Sequence, residues 1–268
     1  MYLADYHVHS TCSKDAVAPM ADMALAAAEA GLDEVCFTDH LDMLPWGPYA
    51  PPADFDSAPL TAAYRQALDR AGDRLTIRLG LELGEMVADF DLAEHYLSQA
   101  PQLDFIIGSL HVMSERFGRR GFTQMNRMAE DWDAAIEAYL EELLRHVAWG
   151  RFSVIGHLTL PLRYAVEQYG MDVSFAGHMD SVERLLRLAV EKGVGIECNT
   201  NRGHMPLPGP EILQLYRRLG GEIITLGSDA HRPQHVGLGI RAGQELLRQC
   251  GFSYVCTFEK MRPIFHKL

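Results

Sequence analysis

Short apolar runs alternate along this chain with longer segments in which apolar residues recur at helical spacing. The short runs predict seven strands, over residues 2–8, 34–38, 75–83, 105–109, 152–155, 193–198 and 222–226. The longer segments predict helices over residues 20–30, 60–71, 91–99, 129–149, 177–191, 209–219 and 239–249. Residues 254–258 predict one more short strand or a packing tail. Strands that alternate with helices in this way are typical of βα units around a parallel sheet.

Nothing in the sequence divides these repeats into separate units. Segment 44–59, rich in Pro, Gly and Tyr, predicts a loop, but no linker, low-complexity stretch or fixed-period repeat interrupts the chain. A length of 268 residues is common for an α/β barrel, and 48% hydrophobic residues are ample for a large core. We therefore expect an α/β fold in which residues 1–268 form one barrel-like domain.

The charge balance restricts the partners. The 36 acidic residues outnumber the 24 basic ones, for a formal net charge of −12. An acidic surface repels nucleic acid and anionic membranes, so we expect neither long nucleic acid nor a membrane as a partner. A small anionic substrate is still compatible, because a bound metal cluster reverses the local field.

The expected location is a reducing cytoplasm. Five cysteines without a Cys-x-x-Cys pair do not suggest a disulfide framework. The first residues carry no basic and apolar signal segment, and no run of about 18 apolar residues predicts a membrane span. The sequence is compatible with a homo-oligomer but does not indicate one.

Metal-ligand residue types cluster at the predicted strand ends. In chain order they are His7, His9, Asp15, Asp39, His40, Glu82, His111, His157, Asn199, Asn201, Asp229 and His231. All strands of a parallel barrel open their carboxyl ends on one face, where catalytic residues gather. Residues that are far apart in the sequence are thereby brought to one mouth.

These residue types point to a metal centre. His7 and His9 alternate along an extended segment, so both imidazoles project to the same side and can bind one ion. Glu82 can bridge two ions through its two oxygens. A single histidine at a strand end is more often an ordinary hydrogen-bonded residue, but coincidence at six strand ends is not expected. Six histidines and three carboxylates exceed the shell of one ion, so two or three divalent ions are implied, and this mixed shell suits Zn, Mn or Fe.

Six short motifs resemble those of one known family. They are Asp-Tyr-His-Val-His-Ser (5–10), Phe-Thr-Asp-His (37–40), Gly-Leu-Glu (80–82), Gly-Ser-Leu-His (108–111), Ile-Gly-His-Leu (155–158) and Gly-Ser-Asp-Ala-His (227–231). In this order they resemble the motifs of the PHP family, which is named after polymerase and histidinol phosphatase. The resemblance implies a distorted (β/α)7 barrel with a trinuclear metal site.

The resemblance also implies which residues hold the ions. The implied sets are His7, His9, Glu82 and Asp229 for the first ion, Glu82, His111 and His157 for the second, and Asp15, His40 and His231 for the third. Glu82 would thus bridge the first two ions. Glu82, Asp229 and His231 are the expected catalytic residues.

Within the family, the chain is most similar to the histidinol-phosphate phosphatases. The similarity lies in its length and in the segments His-Leu-x-Leu (157–160) and Asn-Thr-x-Arg (199–202). Those phosphatases usually have Asn-Thr-Ser-Gly-Leu-Arg, whereas this chain has Asn-Thr-Asn-Arg-Gly-His (199–204), with its basic residue two places earlier. The implied activity is hydrolysis of a small phosphomonoester by a metal-activated water, with histidinol phosphate converted to histidinol in histidine biosynthesis.

Four basic residues are candidates to bind the substrate phosphate. Arg163 and Arg202 are candidate clamps, because a guanidinium group matches phosphate oxygens bidentately. His204 and His235 are further candidates, either of which would protonate the leaving alkoxide.

Other functions are compatible with the same residues. A phosphodiesterase or exonuclease of this family, or a phosphatase for another small phosphate ester, would use the same ions. The net charge of −12 disfavours long nucleic acids. A degenerate barrel that acts as a binding module would lack ligands, but all nine positions are occupied. An amide hydrolase on a related metal barrel stays open.

Overall fold

Seven parallel strands form one nearly closed barrel in a computed structural model that describes residues 1–45, 54–122 and 132–268. The strands are β1 (Ala4–Val8), β2 (Glu34–Asp42), β3 (Thr76–Gly84), β4 (Phe105–Ser109), β5 (Val154–Ile155), β6 (Gly195–Asn199) and β7 (Ile224–Gly227). Neighbours in the sheet follow the chain order, and both faces of most strands are buried, as expected of a parallel sheet covered by helices. The predicted seven-stranded α/β barrel is confirmed. It is distorted, since β5 has only 2 residues.

Helices cover the outside of the barrel. In the described chain the α-helices are α1 (Met20–Glu29), α2 (Ala58–Ala71), α3 (Phe90–Gln99), α4 (Trp132–Trp149), α5 (Leu160–Leu162), α6 (Met179–Lys192), α7 (Pro210–Arg218) and α8 (Ile240–Gln249). A π-helical turn, Arg163–Gln168, continues α5. Short 3-10 turns lie at Gly72–Arg74, Met86–Ala88, Glu115–Phe117, Ala176–His178, Asn201–Gly203 and Pro233–His235. None of the helices in the described ranges has the length and apolar content that a membrane span needs.

The helices form where the sequence supplies one apolar face. In α6, Val182, Leu185, Leu186 and Ala189 are buried, and this spacing places them on one side of the helix. Gly193 ends α6 with a φ of 69°, a left-handed conformation that glycine adopts without steric cost. Residues 46–53 of the predicted loop and 129–131 of the predicted fourth helix lie outside the described residues.

The barrel closes between β7 and β1, next to the predicted ligands. The backbone N–H of Asp229 donates to the carbonyl of His7 at 2.8 Å, and the N–H of His9 donates to the carbonyl of Ala230 at 2.9 Å. Val8 and Ala230 form an isolated parallel bridge. These bonds fix the first and last ligand segments to each other.

A bulge in β1 changes which of its side chains face the barrel interior. Asp5 pairs with Val35 and Val8 pairs with Phe37, so β1 has one extra residue between the two pairs. The side chain of Tyr6 packs in an interior apolar cluster. In a regular strand the next side chain, that of His7, would point outward. The extra residue reverses this alternation, so the imidazole of His7 also reaches the interior.

A C-terminal hairpin closes the end of the barrel opposite the ligands. Its strands, β8 (Tyr254–Glu259) and β9 (Arg262–Lys267), pair antiparallel. Cys256 and Phe258 join an interior apolar cluster with the strand residues Ala4, Tyr6, Cys36, Phe105, Ile107 and Val154. The interior is therefore apolar at this end and polar at the other. The sequence left open whether residues 254–258 form a strand or a tail; they form a strand, and β9 was not predicted.

Replacing Tyr6 with Phe tests the contact between the barrel and this hairpin. The Tyr6 hydroxyl accepts a hydrogen bond from the backbone N–H of Phe258 at 2.7 Å and also contacts the buried Glu34 carboxylate. Phe would leave both groups without this partner, so we expect the free energy of unfolding to fall by about 1–3 kcal/mol in urea denaturation. Tyr254→Phe, on the exposed face of the hairpin, is the control and should change it by less than about 0.5 kcal/mol. Equal stabilities for the two variants would contradict this role of Tyr6.

Candidate metal centre

The carboxyl ends of the strands bring all nine predicted ligands to one mouth of the barrel. The nine residues, which we call the ligand cluster, are His7, His9, Asp15, His40, Glu82, His111, His157, Asp229 and His231. Each lies on a strand or in the loop that follows it, as the parallel barrel requires. Side-chain contacts of 4 Å or less link every member of the cluster to at least one other.

Glu82 lies at the centre of the ligand cluster and is fully buried. Its Oε1 is 2.9 Å from Nε2 of His157 and 3.2 Å from Nε2 of His111. Its Oε2 is 3.2 Å from Nε2 of His7 and 3.0 Å from Nδ1 of His40. Each carboxylate oxygen thus faces a different set of imidazoles, which is the arrangement expected of a carboxylate that bridges two cations.

A second part of the cluster lies around Asp15, on the more open side. Oδ2 of Asp15 is 2.9 Å from Nε2 of His231 and 3.6 Å from Nε2 of His40. The ring of His9 stacks with those of both His40 and His231, at centroid distances of 4.3 and 4.1 Å. Ligand atoms of these three histidines lie within 4.8 Å of one another. This spacing is compatible with a further cation.

Buried atoms without hydrogen-bond partners show that the cluster fits divalent metal ions. Nε2 of His7, Nε2 of His9 and Oε2 of Glu82 make no hydrogen bond with any described residue. Buried polar atoms in proteins are almost always paired, so three unpaired ones that face each other need a common partner. Imidazole nitrogens and carboxylate oxygens are the donors that Zn, Mn and Fe accept.

Outer groups hold the ligand histidines from behind. Nδ1 of His7 lies 2.8 Å from Oε1 of Glu197, and Nδ1 of His111 lies 3.3 Å from Oδ1 of Asp42. Nδ1 of His9 lies 3.2 Å from the hydroxyl of Ser13. A partner on Nδ1 leaves Nε2 to face the centre of the cluster, as is usual for metal-binding histidines.

The electrostatics of the cluster favour ionised carboxylates. Burial raises the pKa of Glu82, but the charges of the surrounding histidines, His7 foremost, lower it well below its usual range. Burial also raises the pKa of Asp229, and the adjacent Arg163 guanidinium then lowers it well below its usual range. Both side chains therefore present the charged form that binds cations.

A cavity of about 430 Å³ opens over the ligand cluster. Both predicted phosphate clamps line it, Arg202 in the segment after β6 and Arg163 in the π-helical turn. Nη1 of Arg163 is 2.6 Å from Oδ2 of Asp229, so this arginine also holds a cluster member in place. The residues that line the cavity in the described chain do not include His204 or His235. His204 is exposed, and His235 is half-buried. Their role stays a prediction.

Five lining residues were not predicted from the sequence. They are Phe122, Leu160, Tyr164, Glu167 and Gln168. The last three belong to the π-helical turn, which has no periodic signature that a sequence pattern reveals. Glu197, behind His7, was also missed, although it precedes Asn199 by two positions on the same strand and therefore faces the same side.

A comparison with models of protein families identifies the family to which the barrel and the six motifs belong. A family model described as PHP domain matches residues 5–201, about three quarters of the chain. The chain belongs to the PHP domain family. The resemblance expected from the six motifs is confirmed.

Curated relatives of this PHP chain are similar over nearly their whole lengths. The histidinol-phosphatase of Lactococcus lactis subsp. lactis (strain IL1403) is 29% identical, with 96% of this chain and 95% of that protein covered. The probable histidinol-phosphatase of Thermotoga maritima is 27% identical, with 95% of each covered.

Solved structures share the barrel of this PHP protein. The crystal structure of histidinol phosphate phosphatase from L. lactis, complexed with Zn, L-histidinol and phosphate, has a TM-score of 0.82 at 24% identity and covers 98% of both chains. The putative histidinol phosphatase of Listeria monocytogenes has a TM-score of 0.77 at 20% identity, covering 89% of this chain and 99% of its own. These matches establish the fold.

Replacing Glu82 with Ala tests its central place in the cluster. Because each oxygen of Glu82 faces a different set of imidazoles, the variant should lose more than one equivalent of bound metal at once. The measurement is elemental analysis of protein loaded with Zn and freed of excess metal. Glu167→Ala, a carboxylate in the same cavity but outside the cluster, is the control and should keep the wild-type metal content. Full occupancy in Glu82→Ala would reject the bridging position.

Proposed function

We propose that this protein is a metal-dependent phosphatase that hydrolyses histidinol phosphate to histidinol and inorganic phosphate, a step of histidine biosynthesis. The observation that carries the proposal is the ligand cluster at the floor of a cavity that two arginines also line. A cation cluster and guanidinium groups together suit a phosphate ester. Membership of the PHP family and relatives named histidinol-phosphatase support the choice of substrate.

The contacts of Glu82 support a division of the ligand cluster into three sets. His7, His9 and Asp229 would hold one ion and His111 and His157 a second, with Glu82 offering one oxygen to each. Asp15, His40 and His231 would hold a third. Zn is the first choice because the similar L. lactis structure contains it, with Mn and Fe as alternatives. When bound, such ions supply an acidified water for attack on phosphorus and positive charge near the phosphoryl oxygens.

Arg202 and Arg163 orient the phosphate in this proposal. Nε of Arg202 makes no hydrogen bond with a described residue, although it is buried. Nη2 of Arg202 donates a hydrogen bond to Oδ1 of the preceding residue, Asn201, at 3.3 Å. Arg163 is held by Asp229, so it can neutralise charge at the edge of the cluster without moving far. His204 and His235 remain the candidates that would protonate the leaving alkoxide.

The remaining cavity wall suits an alcohol that carries a positive charge and a flat ring. Glu167 is a carboxylate of the cavity wall outside the ligand cluster, and its oxygens are held by Nδ2 of Asn201 at 2.9 and 3.0 Å. The rings of Phe122 and Tyr164 stack with their centroids 6.1 Å apart. Histidinol phosphate has an ammonium group and an imidazole ring, which match a carboxylate and an aromatic wall.

The cysteines support the expected location. All five are free thiols, and four of them are buried. Unpaired thiols are typical of a reducing compartment, so a cytoplasmic location is part of this proposal.

A substrate panel tests the proposed function. The metal-free protein is loaded with Zn, Mn or Fe, and the release of inorganic phosphate is measured from histidinol phosphate, other phosphomonoesters, p-nitrophenyl phosphate and its bis-ester. We expect the highest kcat/KM for histidinol phosphate and little turnover of the bis-ester. Preference for the bis-ester would favour a phosphodiesterase, and equal turnover of all monoesters would contradict histidinol phosphate as the substrate.

A matched pair of variants separates phosphate binding from recognition of the alcohol. Glu167→Gln should raise KM for histidinol phosphate about 10-fold or more but leave KM for p-nitrophenyl phosphate nearly unchanged, since only the first substrate is cationic. Arg202→Ala should raise KM for both substrates, since both carry the phosphate. Steady-state kinetics of the two variants on the two substrates is the measurement. An equal effect of Glu167→Gln on both substrates would contradict its role in binding a cation.

A further inference from the structure

Glu197 is a buried carboxylate that lies directly behind the ligand cluster without belonging to it. It is on β6, its side chain is 1% exposed, and it faces the barrel interior. Burial of a carboxylate is costly unless its oxygens accept hydrogen bonds. Its partners therefore indicate what keeps it there.

Both oxygens of Glu197 accept from donors that belong to cluster residues. Oε1 lies 2.8 Å from Nδ1 of His7. Oε2 accepts from the backbone N–H of His157 at 2.7 Å and from Nδ2 of Asn199 at 3.2 Å. One side chain thus contacts two predicted ligands that lie on opposite sides of Glu82, one facing each of its oxygens.

The contact with His7 determines which ring nitrogen carries the proton. A carboxylate can only accept, so Nδ1 of His7 must be the protonated nitrogen in this bond. In the neutral imidazole, Nε2 then keeps its lone pair, and it points at Glu82 at 3.2 Å and Asp229 at 3.7 Å. A neutral imidazole in this tautomer is ready to bind a metal ion at Nε2.

The contact with His157 holds an unusual backbone conformation. His157 has a φ of +21°, which side-chain-bearing residues rarely adopt. Such a conformation persists only when the surrounding structure holds it. The hydrogen bond from its N–H to Glu197 is one such constraint, and it directs the imidazole toward Oε1 of Glu82 at 2.9 Å.

Gly227 on the neighbouring strand β7 leaves the space that the contact between Glu197 and His7 needs. A Cβ atom on Gly227 of β7 would lie 2.2 Å from Oε1 of Glu197 and 2.3 Å from Cβ of His7. Only glycine therefore fits at this position. The close approach confines the carboxylate and the imidazole to each other.

We propose that Glu197 is a positioning residue of the metal centre: it fixes the Nδ1–H tautomer of His7 and the backbone of His157. It would thereby align one ligand for each of the two ions that Glu82 would bridge. This inference rests on the metal-dependent site of the proposed function, but it concerns metal binding and not the substrate. A protein that binds Zn as described but hydrolyses no phosphomonoester would refute the proposed function and leave this inference standing.

Two variants and a matched control test the inference. Glu197→Gln keeps one acceptor oxygen where the carboxylate has two, so either His7 or His157 loses its partner, and Glu197→Ala removes both acceptors. Glu34→Gln is the control, because Glu34 is a carboxylate of similar burial, 2% exposed, whose partners Tyr2, Tyr6 and Arg78 lie outside the cluster. Thermal unfolding of the metal-free proteins shows whether each variant folds.

Two readouts decide the outcome. The first is the dissociation constant for Zn, from competition with a chelator, which should rise about 10–100-fold in both Glu197 variants and stay near the wild-type value in Glu34→Gln. The second is the tautomer of His7 in the metal-free protein at a pH high enough for its imidazole to be neutral, from nitrogen NMR of histidine-labelled samples, assigned with His7→Gln. Wild-type His7 should be the Nδ1–H form, and Glu197→Ala should shift it toward the Nε2–H form.

Other results would overturn the inference. Wild-type zinc affinity in both Glu197 variants would remove any role in the metal centre. A weaker affinity with an unchanged His7 tautomer in Glu197→Ala would mark Glu197 as a merely structural residue. If Glu197→Ala does not fold, the test rests on Glu197→Gln. This variant should bind zinc more weakly, and it should also lose either the Nδ1–H tautomer of His7 or the slow hydrogen exchange of the His157 amide.

Discussion

The structure depends on one buried carboxylate, Glu82, surrounded by imidazoles that it cannot satisfy alone. Its two oxygens face different histidines at about the distance of a hydrogen bond, and the facing Nε2 atoms of His7 and His9 make no hydrogen bond with a described residue. Removing so many polar groups from water is unfavourable unless cations bind between them. Because of this cost, we infer that the cluster is a metal centre and not a polar core.

The rest of the barrel makes this concentration of polar groups possible. One end of the interior is filled by Tyr6, Phe105 and the hairpin residue Phe258, so the apolar core and the polar cluster occupy separate layers. The bulge in β1 lets Tyr6 serve the first layer and His7 the second. Backbone bonds between His7 and Asp229 then tie the first and last ligand segments together.

The seven strands could be predicted from the alternation of short apolar runs with helical segments. The grouping of the ligands could then be predicted because parallel strands end on one face of a barrel. Features that depend on three-dimensional packing were not predicted. Strand β9 was missed because its turn, at Lys260 and Met261, has positive φ values without the Asn or Gly that usually mark such turns. Glu167 and Glu197 were missed because only the folded chain shows which donors and which cavity they face.

The central claim is that Glu82 lies between metal ions held by the surrounding histidines. The most direct test is a crystal of the zinc-loaded protein measured on both sides of the zinc absorption edge, so that anomalous scattering locates each ion. The account predicts two zinc peaks, one bonded to each oxygen of Glu82, and a third peak between Asp15, His40 and His231. Anomalous density that is absent from this mouth, or bound only at surface residues, would contradict it.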